Sequence, residues 1–271
     1  MAKKSKDSSR KSKEKVKHPP SEASGGVPDP SKEYLAHVAG AVPVMTPRCR
    51  PLLVIFDLNG TLLYRKNNGK RYTERIHAKT FIEYCKERFT VMVWSSATRP
   101  NVESMCDELF PDLPEHLRWA RDNLGLSLDD QKRNVQVYKR LSHVWQDSSI
   151  QKLHPFRRDG GQWDQTNTVL IDDSREKARS EPFNCITLPV FDSSSTEEEA
   201  AILPHVHEYL NVLACQEDVS CYIQHNPFKV EDNPPKVPHT ALLPYKQYLE
   251  TSEHERRIAI EQVWDMAYSI V

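Results

Sequence analysis

No apolar run in this 271-residue sequence approaches the roughly eighteen residues that a membrane-spanning helix needs, which argues against an integral membrane protein. The N-terminus lacks the apolar core of a secretory signal. Its lysines alternate with serine and acidic residues instead of forming an Arg-rich amphipathic helix, which argues against export and weakens a mitochondrial address. The six cysteines (Cys49, Cys85, Cys106, Cys185, Cys215 and Cys221) include no Cys-x-x-Cys pair, so in a chain of this size they read as reduced thiols of an intracellular protein. There is no internal repeat, and almost no net charge: −1 overall. That balance hides an asymmetry, because the first eighteen residues carry eight Lys/Arg against Asp7 and Glu14, leaving +6 there and −7 in the remainder.

What the sequence does contain is organised around residues 51–63. The run Leu52 to Phe56 is uninterrupted and rich in branched side chains, as in a strand buried on both faces of a parallel sheet, and it ends in Asp57 with Gly60 three residues on. Ligands of open α/β sheets bind beyond the carboxyl ends of the strands. An Asp at such an end suits phosphoryl attack, Mg²⁺ binding or both; it equally suits the opening of a turn, with Asn59-Gly60 as turn residues.

Residues 1–32 are Lys, Ser, Pro and Gly with almost no large apolar side chain, which predicts a disordered basic tail. Its lysine clusters are compatible with a nuclear import signal, a nucleic-acid contact or a solubilising role. Residues 33–213 read as the folded domain, with Tyr34 and Leu35 of the lead-in able to pack on it. Helical spacing is seen in Thr80–Phe89, with Phe81, Tyr84 and Cys85 on one face, and again in Asn101–Phe110 and Glu197–Leu213. Further strands are predicted at Thr90–Trp94, Thr168–Ile171 and Asn184–Pro189. Residues 112–134 are polar and carry no readable period, 135–145 mix two periods around Lys139, and 147–167 look like loop. Residues 214–244 read as a linker, proline-rich from 226 onward (Pro227, Pro234, Pro235, Pro238, Pro244), followed by a C-terminal helix in 245–271. In that helix Ile260, Val263, Trp264 and Ala267 form an apolar face that either packs back on the domain or binds a partner protein. Strands alternating with helices predict an α/β three-layer sandwich around a mostly parallel sheet, with Asp57, Ser95 and Asp172-Asp173 along one edge.

Four segments together resemble a known family. Asp57-Leu58-Asn59-Gly60-Thr61 resembles the first motif, Asp-x-Asp-x-Thr, of haloacid dehalogenase-like phosphatases, and Val93-Trp94-Ser95-Ser96-Ala97 the second. Tyr138-Lys139-Arg140-Leu141-Ser142 is similar to the segment with the third-motif lysine, and Val169-Leu170-Ile171-Asp172-Asp173-Ser174 to the fourth, metal-binding motif. The last two point to the branch of the RNA polymerase II C-terminal-domain phosphatases, the NLI-interacting-factor-like proteins and a related mitochondrial import receptor subunit. The resemblance implies Asp57 as nucleophile forming an aspartyl-phosphate, with Thr61, Ser95, Ser96 and Lys139 binding phosphate. It further implies Mg²⁺ held by Asp57, the Asn59 backbone carbonyl, Asp172 and Asp173. Taken alone, Ser95 also suits a helix cap, Asp172-Asp173 a turn, and Lys139 solvent, with Lys132 and Lys152 as nearby alternatives.

The departure is Asn59, where the family's phosphatases carry the Asp that protonates the leaving oxygen and then activates water. An amide does neither, and losing a general acid/base costs about 10²–10⁴ in rate. No insertion large enough for a cap domain follows either of the first two motifs, which suits a phosphorylated protein or peptide better than a small metabolite needing enclosure. The expected function is thus a Mg²⁺-dependent phosphoprotein (Ser/Thr) phosphatase weakened at Asn59, in the nucleus or cytoplasm. Its rival is a non-catalytic peptide-binding pseudophosphatase like the import receptor subunit of the mitochondrial inner membrane.

Overall fold

The computed structural model describes residues 17–65 and 71–230. In chain order its elements are α1 (Lys32–Ala39), β1 (Leu53–Phe56), β2 (Leu63–Arg65), β3 (Tyr72–Glu74), α2 (Ala78–Arg88), β4 (Thr90–Trp94), α3 (Arg99–Leu109), β5 (Arg118–Trp119), α4 (Leu128–Lys132), α5 (Leu141–Gln146), α6 (Ser148–Gln151), β6 (Thr168–Asp172), β7 (Cys185–Thr187), α7 (Glu197–Ala214) and α8 (Val219–His225).

The strands dictate the architecture. Every residue of β1 and β6 is buried, so both faces of the sheet are covered, as a parallel sheet requires. Five strands form one sheet in the order β5-β4-β1-β6-β7, and all its pairings are parallel. The chain lays β4 and β5 on one side of β1 and then returns to lay β6 and β7 on the other. The strand order thus reverses at β1, the place where α/β sheets open a crevice for ligands. Register aligns the exits: Phe56 is level with Val93 of β4 and Ile171 of β6, so Asp57 leaves the sheet level with Trp94 and Asp172. Aromatic packing holds this centre, with Phe56 against Phe81 at 5.9 Å and Phe110 at 5.8 Å, and Trp94 edge-on to Trp119 at 5.1 Å. Each such fully buried ring stabilises by about 1.5–3 kcal/mol.

Between β1 and α2 the inserted structure is the antiparallel hairpin β2–β3; this is a flap, not a cap domain. α3 starts two residues before the predicted Asn101 because Pro100 fits the first helical turn, where no amide partner is needed. The featureless stretch 112–134 supplies the edge strand β5, whose two residues are too few to show a period. Among the described residues no helix is long and apolar enough to cross a membrane.

Two boundaries differ from expectation. Residues 17–32 are laid on the domain instead of being disordered: His18 forms an isolated bridge to Val135, its amide donating to the Asn134 carbonyl at 3.1 Å and its carbonyl accepting from Gln136 at 2.7 Å. Ser21 and Ser24 donate to Asp130, and Arg140 donates to the carbonyls of Gly25 and Gly26 at 2.8 and 2.9 Å. Apolar content misjudged this segment because polar partners order it. The domain also continues past 213. The Thr46 amide donates to the Cys215 carbonyl at 2.7 Å, Glu217 donates to the Val44 carbonyl at 2.8 Å, and α8 buries Val219, Cys221 and Ile223. This clasp sets the sulfurs of Cys49 and Cys215 2.8 Å apart. Tyr34 is buried as expected, its hydroxyl donating to Asn184 at 2.8 Å, while Leu35 stays exposed. The basic clusters of residues 1–16, the linker beyond 230 and the C-terminal helix lie outside the described residues.

Candidate functional site

The site begins where β1 ends. The Asp57 amide donates to the Ile171 carbonyl at 2.9 Å, continuing the β1–β6 ladder by one residue. The chain then turns on Leu58, whose carbonyl accepts from the amides of Thr61, Leu62 and Leu63 at 3.1, 2.8 and 3.2 Å. Gly60 sits at φ +87°, and a Cβ there would lie 2.6 Å from Asp173 Oδ2. Only glycine satisfies both the left-handed backbone and this close approach, which brings the loop after β1 against the end of β6.

Carboxylate oxygens of Asp57, Asp172 and Asp173 lie within 4.8 Å of one another. Two buried ammonium groups hold them together. Lys139 is fully buried, with Nζ 3.0 Å from Asp57 Oδ1 and in contact with Asp172 Oδ2. The rival lysines Lys132 and Lys152 are exposed. Lys177, 7 % exposed, places its Nζ 3.1 Å from Asp57 Oδ2, 2.8 Å from Asp172 Oδ1 and 2.9 Å from Asp173 Oδ1. Burial pulls the Lys177 pKa down, but Asp57, Asp172 and Asp173 outweigh it and hold the ammonium well above its ordinary value. The donor set suits a divalent cation in kind, being oxygen-only and anionic. Lys177 already contacts the same three carboxylates.

Asp57 has two unlike oxygens. Oδ2 faces Lys177 and, at 3.5 Å, the Thr61 hydroxyl; Oδ1 is buried and, beyond its ion pair with Lys139, has no aligned hydrogen bond. Thr61 is thus turned towards Asp57. Ser95 is buried at the end of β4, its amide donating to the Trp119 carbonyl at 2.9 Å and its hydroxyl accepting from the Ala97 amide at 3.4 Å. Ser95 and Ser96 line an open cavity of about 250 Å³ with Asn59, Arg65, Asn101 and Met105. No lining residue comes from 112–166, so that stretch does not wall this entrance. Asn59 is exposed, and its Oδ1 accepts from the Arg65 amide at 3.0 Å. The carboxamide NH2 is its donor group, and it has no carboxyl proton to give.

Sequence reasoning missed two residues. Lys177 lies four residues after Asp173, a spacing that ordinarily marks an exposed helical ion pair, and nothing in one sequence says that the turn is buried. Arg75, 1 % exposed, donates to the Thr61 carbonyl at 2.8 Å, the Pro189 carbonyl at 2.6 Å and Glu199 at 2.6 Å, and its guanidinium lies over the Phe191 ring. It ties the loop after β1 to α7, and no local motif announces it.

Comparison with known proteins decides the family: the NLI interacting factor-like phosphatase profile matches residues 52–220. This chain belongs to the NLI interacting factor-like phosphatases. It thereby falls in the haloacid dehalogenase-like branch that contains the C-terminal-domain phosphatases. An uncharacterized FCP1 homology domain-containing protein of Schizosaccharomyces pombe is 31% identical over 219 residues, covering 75% of this chain and 86% of that protein. A structure of the fission yeast RNA polymerase II CTD phosphatase Fcp1, a variant bound to beryllium fluoride, is similar at 13% identity and a TM-score of 0.38, covering 78% of this chain and 66% of that one. Another structure of Fcp1, described as an essential RNA polymerase II CTD phosphatase, gives the same values. This member of the family therefore spans just under two thirds of the Fcp1 chain it matches.

Proposed function

We propose that this NLI interacting factor-like protein binds phosphorylated Ser/Thr side chains of proteins at the end of β1 and turns them over slowly through Asp57. One observation carries the reading: the Asp57 carboxylate, buried at the end of β1, is held between the Lys139 and Lys177 ammonium groups beside Asp172 and Asp173. In phosphoryl transfer Oδ1 forms the new O–P bond while the bond from phosphorus to the substrate oxygen breaks, and the released alkoxide takes up a proton. Water then attacks phosphorus and gives up a proton to solvent as the P–Oδ1 bond breaks, freeing phosphate and the Asp57 carboxylate. Lys139 stabilises charge on the transferred group and on Asp57, while Ser95, Ser96 and Thr61 supply hydroxyl or amide donors. Mg²⁺, bound by Asp57, the Asn59 carbonyl, Asp172 and Asp173, would neutralise further negative charge on the phosphoryl oxygens.

Asn59 hands the leaving oxygen a hydrogen bond but no proton, so the proton comes from water and turnover is slow. The small hairpin β2–β3 leaves room for a side chain on a macromolecule, which supports a phosphoprotein partner and, with the family, action in the nucleus or cytoplasm. The amide at Asn59 also favours a second reading, a peptide-binding pseudophosphatase that holds a phosphorylated segment without hydrolysing it. Aryl phosphate hydrolysis separates the two, because a good leaving group needs little protonation. Activity abolished by Asp57→Asn supports turnover; none under any condition, with phosphate still bound, supports the pseudophosphatase.

A further inference from the structure

Lys177 stands at the point where three carboxylates converge, the place a cation would take. Its Nζ is 2.8–3.1 Å from oxygens of Asp57, Asp172 and Asp173. The position is fixed from both ends of the residue. Its amide donates to the Ser174 carbonyl at 3.1 Å, its carbonyl accepts from the Lys139 amide at 2.7 Å, and the side chain is buried on the turn after β6. We propose that the Lys177 ammonium is a resident counter-ion at the cation position. A phosphate anion is then bound there without a divalent ion, and a divalent ion enters only by displacing Lys177. This rests on the reading of the site as a phosphate site.

Charge supports the assignment. Asp57, Asp172 and Asp173 carry three negative charges and Lys139 and Lys177 two positive ones, so the cluster as it stands is −1. Without Lys177 the same cluster would be −2. The Lys177 ammonium therefore halves the negative charge that a cation would have to offset. A divalent ion added among the same oxygens would meet the ammonium at close range in a buried setting, where like charges repel strongly. Lys177 thus supplies from the chain part of the counter-charge that a cation would otherwise bring.

The test uses the full chain and two probes, Mn²⁺ followed by electron paramagnetic resonance and inorganic phosphate followed by calorimetry. Wild type should bind phosphate in excess EDTA. Lys177→Met should bind Mn²⁺ at least tenfold more tightly than wild type, lose phosphate binding in EDTA and regain it with Mn²⁺. Lys177→Gln, which keeps a polar head among the carboxylates, should behave likewise and serves if the methionine variant does not fold. Equal Mn²⁺ affinity in wild type and variants would overturn the proposal. Phosphate binding by wild type only with Mn²⁺ would also overturn it while leaving the phosphate site standing. Phosphate binding by no form under any condition would remove the phosphate site and this proposal together.

Discussion

The backbone amide of Lys139 donates to the carbonyl of Lys177 at 2.7 Å, so the two buried lysines of the site are joined through their main chains as well as through shared carboxylates. Lys139 precedes α5, whose first amide, at Leu141, donates to Glu181 at 2.9 Å, and Lys177 lies on the turn after β6. Neither lysine can shift without pulling on the other. Lys139→Ala leaves Asp57 and Asp172 short of a buried partner, and breaking a buried pair in this way costs about 3–5 kcal/mol. Urea unfolding should show that loss, and phosphate binding should fall with it. A stability change under about 1 kcal/mol would mean that Lys177 alone holds the carboxylates.

Position 59 makes the second prediction. In Asn59→Asp the new carboxylate can still accept from the Arg65 amide, so the backbone turn should survive. If proton delivery is the missing part, turnover of an alkyl phosphate should rise by about one to four decades, with little gain on an aryl phosphate. The ratio of the two gains is the measurement. Equal gains would show that the residue acts by charge instead of by proton transfer.

Arg75 makes the third. Its side chain is buried between Glu199, two carbonyls and the Phe191 ring. Arg75→Met strands the Glu199 carboxylate and should cost about 3–5 kcal/mol, whereas Arg75→Met with Glu199→Leu should recover much of that loss, because an apolar pair can replace a buried ion pair. A double variant no more stable than the single one would show that the bonds to Thr61 and Pro189, not the ion pair, carry Arg75.

The parts of the fold legible in the sequence were those whose pattern is local. The run Leu52–Phe56 and the strand Thr90–Trp94 announce buried strands because both faces are covered, and helical spacing announces α7 across Pro204, which lies inside the helix. Asp57, Asn59, Ser95, Lys139 and Asp172-Asp173 stood out because each follows a strand or sits in a recognisable string. Lys177 and Arg75 did not, since what distinguishes them is burial produced by elements distant in sequence. The same limit applies to residues 17–26, whose anchorage lies in serine hydroxyls meeting Asp130 across the fold.

That anchorage gives the last prediction. The Asp130 carboxylate, 1 % exposed, accepts from the Ser21 hydroxyl at 2.6 Å, the Ser24 hydroxyl at 2.6 Å and the Ser21 amide at 2.7 Å. These bonds, those from the serine hydroxyls first, favour the ionised form and lower its pKa to about 2. A depressed carboxylate stabilises the state that holds it ionised. The contribution is therefore complete above the ordinary range of an Asp, about 4, and is lost as pH falls from there through about 2. Hydrogen-exchange protection of the Ser21 amide, corrected for the intrinsic pH dependence of exchange, should fall across that window before protection of the β1 amides does. Asp130→Asn retains one acceptor in place of the carboxylate, so at neutral pH it should lower Ser21 protection to the level wild type reaches in acid, with β1 unchanged. Loss of protection in β1 at the same pH as in Ser21 would show that the N-terminal segment and the core unfold as one unit, and that Asp130 is not its separate latch.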